Sequence, residues 1–165
     1  MICWREAMRA QIPGPINVEY ENLFWKLKDV TTVNGRIGEH ASAIFYVLQK
    51  HRRKDEEFAL PPLDLLENLA GDNVNREIHK VTNMTDRLKE QRPHMEAEIR
   101  QMITMLHEMS RTAITEQKPE FAELAKHLEQ FLEREIHILY PASILVGEFY
   151  RLKMDQKGLQ AARGV

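Results

Sequence analysis

Residues 35–61, GRIGEHASAIFYVLQKHRRKDEEFALP, decide how this chain is read. Within them Ile37, Ala41, Ile44 and Leu48 step at alternating intervals of four and three, and the next two steps are His51 and Asp55. The rhythm is that of a helix with one face toward a core, yet titratable residues occupy the last turns of that face. Residues 119–141, PEFAELAKHLEQFLEREIHILYP, follow the same rhythm through Phe121, Leu124, Leu128 and Phe131, and the next step is Glu135. Three titratable groups are thus aimed at one interior. A carboxylate taken out of water protonates, pairs or binds a metal, so these positions need a chemical reason.

Working outward, Pro13-Gly14-Pro15 breaks the chain before a first helix whose stripe is Ile16, Tyr20, Leu23, Leu27 and Val30. Asn34-Gly35 marks a turn. The second helix is predicted from about Arg36 to about Phe58, stopped by Pro61-Pro62, because proline removes a backbone donor and disfavours helix in the residue before it. Leu63 to Asn73 reads as a short helical turn plus a loop that ends at Gly71-Asp72-Asn73. A third helical stretch from about Asn75 to Ala113 carries Met84, Leu88, Met95, Ile99, Met102, Leu106, Met109 and Ala113 on one face, and Pro93 is expected to kink or split it. Pro119 fits the first turn of the last helix, which is expected to reach Pro141 and, after a kink, to continue through Ile144, Leu145 and Phe149 to about Met154.

The organisation that follows is a flexible N-terminal segment (1–15), one helical domain (16–154) and a disordered tail (155–165). Four principal helices, short connections and no strand-like alternation predict an all-α, up-and-down four-helix bundle. Composition agrees, with 43% hydrophobic and 29% charged residues and only seven Gly and seven Pro. A net charge of −2 gives no electrostatic case for a nucleic-acid partner. The single cysteine, Cys3, excludes an internal disulfide framework, and no stretch approaches the ~20 apolar residues of a membrane span. Without a continuous apolar run of the kind a signal peptide needs at its start, the chain is expected to be cytoplasmic.

Tyr20, His51, Asp55 and Glu135 are the polar members of the stripes, and the third helix contributes none. His51 and Asp55 are four apart and emerge on one helix face, a spacing that can chelate one cation in a bundle core. Glu135 could meet them from another helix. The alternative is a hydrogen-bonded core cluster without metal, in which a His51 imidazolium pairs with Glu135 or Asp55 and the Tyr20 hydroxyl satisfies a remaining carboxylate oxygen.

The segment HRRKDEEFALP (51–61) resembles the second-helix motif of the hemerythrin-like, or HHE cation-binding, domains: a ligand His, acidic residues at Asp55 and Glu56, and a proline at Pro61. FLEREIHILYP (131–141) resembles the fourth-helix copy of that motif, with Glu135 at the first acidic position and the Tyr-Pro ending in place. The similarity covers about Val18 to Leu152. It implies a four-helix bundle built around a non-haem di-iron centre, in proteins that store, carry or sense oxygen or iron, or help repair iron–sulfur centres. The ligand set departs from the pattern: Glu19-Tyr20 stands where the family has Glu-His, Glu98-Ile99 where it again has Glu-His, and Phe131 replaces the fourth-helix His. His51, Asp55 or Glu56, and Glu135 carry over, and Tyr20 could still ligate a ferric ion.

The resemblance therefore implies a bundle that has lost most di-iron ligands. The expectation is a non-catalytic binding or regulatory protein without cofactor; the alternative is a non-haem iron protein that senses or carries oxygen, iron or nitric oxide through a residual site of His51, Asp55, Glu56, Glu135 and Tyr20. No nucleophile signature or phosphate loop argues for an enzyme. His40, His107 and His127 lie near the stripes, yet their charged neighbours place them on half-exposed surface, and His79, His94 and His137 read as solvated. Ile144, Leu145, Val146, Phe149, Tyr150 and Leu152 exceed what one stripe needs, so a protein partner or a homodimer is expected there.

Overall fold

The computed structural model describes residues 12–70 and 78–163, which are helical apart from turns, with no strand among them. In chain order they form α1 (Gly14–Val30), α2 (Arg36–Lys54), a π turn (Asp55–Ala59), a 3-10 turn (Pro61–Leu65), α3 (Leu66–Ala70), α4 (Ile78–Thr115), α5 (Pro119–Arg134), a second π turn (Glu135–Leu139) and α6 (Tyr140–Arg163). The four long runs are those the stripes predict. No helix of the described residues is long and apolar enough to cross a membrane.

Three boundaries differ from the sequence reading. Pro93 lies inside α4 without splitting it. The kink expected at Pro141 takes the form of the π turn Glu135–Leu139 immediately before α6, whose extra residue absorbs the backbone change a proline imposes. The helix then continues past Met154 to Arg163, where a disordered tail is expected. Residues 155–163, DQKGLQAAR, contain no proline and several strong helix formers, and the one glycine, Gly158, costs only about 1 kcal/mol. The expectations for residues 1–11 and for Gly71-Asp72-Asn73 lie outside the described residues.

Packing divides the described residues into two compact units, one of Gly14–Lys54 with Pro93–His137, the other of residues 12–13, 55–70, 78–92 and 138–163. In the first, α1, α2, the later half of α4, and α5 are tied in a ring of pairwise contacts. Phe24 of α1 meets Phe45 of α2 at 4.9 Å between ring centroids, and Tyr20 of α1 meets Phe131 of α5 at 4.8 Å. His40 of α2 lies 3.2 Å from Thr112 of α4, and His107 of α4 lies 2.8 Å from Glu129 of α5. The stripes supply the interior: Leu27, Ile37, Ala41, Ile44, Leu48, Ile99, Met102, Met109 and Leu128 expose no surface at all. Each larger side chain contributes about 1.5–3 kcal/mol by leaving water. The turn before α2 uses Gly35 at φ 96°, a conformation open to glycine.

The second unit has its own apolar cluster of Val81, Val146 and Tyr150, covered by Leu65 and Leu69. Here α4 approaches α6 so closely that a Cβ on Gly147 would sit 1.9 Å from Thr85 Oγ1, so only glycine fits. Thr85 is fully buried and Met84 only partly, which shifts the first turns of the α4 stripe from Met84 to Val81 and Thr85. Around the cluster, Lys89 pairs with Glu148, Arg151 with Asp86, and Arg87 with Glu57.

Candidate metal centre

The two π turns position the acidic residues. Each follows a long helix directly and begins on a fully buried carboxylate, Asp55 in one and Glu135 in the other. In the first, Leu60 N–H donates to the Asp55 carbonyl at 3.0 Å, the wider backbone ring of a π turn. Such insertions gather at functional sites because they rotate one side chain out of the regular helical sequence.

His51, at the end of α2, exposes no surface. Its Nδ1 lies 2.9 Å from Glu98 Oε2 on α4, and its Nε2 lies 3.5 Å from Glu135 Oε2. Lys54 Nζ donates to the other Glu98 oxygen at 2.7 Å, and His94 reaches the same oxygen at 3.1 Å from the exposed side. Burial by itself would raise the Glu98 carboxyl, but the hydrogen bonds and charges of His51 and Lys54 outweigh it and hold Glu98 down to about 2, against an ordinary 4.5. An ionised Glu98 can only accept, so Nδ1 carries the proton and the opposite nitrogen is the one turned to Glu135.

His51, Asp55 and Glu135 are the group of fully buried ligand residues whose donor atoms lie within 4.8 Å of one another. One imidazole and two carboxylates are a donor set that suits iron, manganese or zinc. The carboxylate behind the His nitrogen that faces away is the arrangement that fixes tautomer and ring orientation in metal-ligating histidines. Asp55 also accepts a hydrogen bond from the Tyr140 hydroxyl at 2.8 Å, and Ser143 donates to the Ala59 carbonyl at 2.6 Å, which holds the first π turn against α6.

The other sequence candidates fall differently. Glu56 is half-buried and lies outside the three-residue group. Tyr20 is buried with its ring tilted against Phe131, and the Arg52 guanidinium lies 5.3 Å from that ring and 4.3 Å from Phe24. Glu19 pairs with Arg134. Ile99 and Phe131 fill core positions where the family pattern has ligands. His107 pairs with Glu129 and His127 with Glu123 at exposed positions, apart from the buried group.

Two residues escaped the sequence reading. The third helix does contribute a polar partner, because Glu98 sits one residue off the stripe at Ile99 and its side chain reaches sideways to His51. Arg52 reads as part of a solvated charge run, yet it is almost fully buried between the α1 aromatics and paired with Glu21.

No family model, curated protein or solved structure matches the chain.

Proposed function

We propose that this chain is a non-catalytic binding protein of hemerythrin-like build, an up-and-down four-helix bundle that holds a single cation on His51, Asp55 and Glu135. Iron is the first candidate, on the donor set. The observation that carries the reading is Glu98, which accepts a 2.9 Å hydrogen bond from His51 Nδ1–H and leaves the other nitrogen turned to a buried carboxylate. Asp55 and Glu135 add two fully buried carboxyl groups within ligand reach of the imidazole, the donors a cation would draw on. Ligands with no exposed surface suit retention of an ion better than turnover of a substrate.

A second reading, a metal-free regulatory bundle, draws support from Ile99 and Phe131, which fill former ligand positions with hydrocarbon, and from Tyr140, which already donates to Asp55. Metal analysis by mass spectrometry, on protein expressed with added iron, separates the two. One equivalent of metal in the native chain, falling below a tenth in His51→Ala, is the expected result. Less than a tenth of an equivalent in the native chain, with no tyrosinate or oxo-bridge absorption, overturns the cation and leaves the metal-free bundle.

A further inference from the structure

A cation held on fully buried ligands needs a way in. Met95, Ile99 and Met102 make the inward face of α4 hydrocarbon and expose no surface at all. An ion does not cross such a layer, because it would shed its water with no oxygen or nitrogen to replace it. Glu98 breaks the layer at its edge. Its side chain is 18% exposed, with Oε2 2.9 Å from the Nδ1 of buried His51 and Oε1 shared by Lys54 Nζ at 2.7 Å and His94 Nε2 at 3.1 Å. The side chains of Lys54 and His94 are 25% and 67% exposed. One carboxylate thus links a ligand imidazole to the surface.

The outer end of that link has the makings of a second, weaker site. His94 and Glu98 stand four apart on one face of α4, the spacing at which an imidazole and a carboxylate can share one cation. Their 3.1 Å nitrogen-to-oxygen gap is what two adjacent ligands, each at about 2.1 Å from a common ion, leave between them. The Lys54 ammonium already sits on the same oxygen, a single positive charge that an arriving dication must displace. We propose that His94 and Glu98 are the docking pair where a divalent transition-metal ion first binds, that the Glu98 carboxylate hands it inward to His51, and that Lys54 is the latch on this entry. The route rests on the cation reading given above, and the variants that probe it leave His51, Asp55 and Glu135 untouched.

The test is a rate of uptake. Apoprotein is mixed with ferrous iron under anaerobic conditions, a chelator that strips free and surface-held iron stops uptake at timed intervals, and the retained iron is measured by mass spectrometry. His94→Gln is expected to take up iron about tenfold more slowly than the native chain and to reach the same one equivalent. His94→Asp, which puts a ligand oxygen back at the surface, should recover most of that rate. Lys54→Met should load about threefold faster, because a repelling charge has left the entry. A merely structural role for these residues would not move the two rates in opposite directions at constant stoichiometry. Native rates in both His94→Gln and Lys54→Met, with one equivalent retained, overturn the route and leave the buried site standing. A lowered final stoichiometry in His94→Gln overturns the docking role, since His94 would then belong to the resident site. Less than a tenth of an equivalent in the native chain overturns the buried site and the route together.

Discussion

The two π turns of this protein share one backbone device and differ in the residue one helical turn before it. Asp55–Ala59 follows α2 and Glu135–Leu139 follows α5; each opens on a buried carboxylate and leads to a proline, Pro61 or Pro141. Four residues before Asp55 stands His51, and four before Glu135 stands Phe131. The His copy is surrounded by acceptors and is held by Glu98, whereas the Phe copy packs its ring on Tyr20. Both turns thus deliver a carboxylate to one polar group, to which the first adds its histidine while the second sets a phenyl ring against Tyr20. Backbone geometry delivers each carboxylate inward, and the side chain one turn earlier decides whether that helix adds a ligand atom or hydrocarbon beside it.

Breaking the polar copy should cost most. His51→Ala leaves Glu98 and Glu135 without their shared imidazole in a buried setting and is expected to destabilise the fold by about 4 kcal/mol in chemical denaturation. A loss below about 0.5 kcal/mol, the size of a surface substitution, would mean that the two copies do not differ as described. Converting the second copy into the first is the next test. Phe131→His should cost about 2 kcal/mol without metal, from lost packing on Tyr20 and a buried polar ring, and added iron should recover part of the loss. No iron-dependent recovery would show that the Phe131 position cannot be reopened by a single ligand.

Smaller effects sharpen the comparison through the supporting groups. Glu98→Gln keeps an acceptor for His51 but loses the charge, with an expected cost of about 1 kcal/mol near neutral pH. Glu98 is held down to about 2 in the folded chain against 4.5 ordinarily, so its contribution is present above about pH 4.5 and is lost as pH falls toward 2. The native protein should lose stability across that window and the Gln variant less steeply, as read by midpoints of urea denaturation at stepped pH; equal slopes would contradict the assignment. Ser143→Ala, which removes the hydroxyl that donates to Ala59 in the first turn, should cost about 1 kcal/mol by thermal denaturation. A neutral outcome would mean that this turn holds its shape without α6.

Much of this was legible from spacing. All six stripe positions from Ile37 to Asp55, and those from Leu124 to Glu135, lie on buried faces as their intervals predict, because a helix fixes which residues share a side. The π turns were not legible, since a one-residue insertion leaves the residue types unchanged and alters only the backbone ring. Nor was Glu98: its place beside the stripe makes it look solvated, and only the approach of α2 to α4 turns it into the partner of His51. Arg52 misled for the same reason, as a charge in a charged run whose long stem found two aromatic faces.

The sequence by itself determined the helices, their inward faces and the fact that a histidine and two carboxylates would occupy those faces. Periodicity is local, and local pattern suffices for it. The tertiary structure decided which nitrogen of His51 is bonded, that Asp55 rather than Glu56 joins the buried group, and which apolar side chains of α6 remain in water. Those outcomes depend on distances between residues far apart in the chain, and such distances are set only when the faces pack.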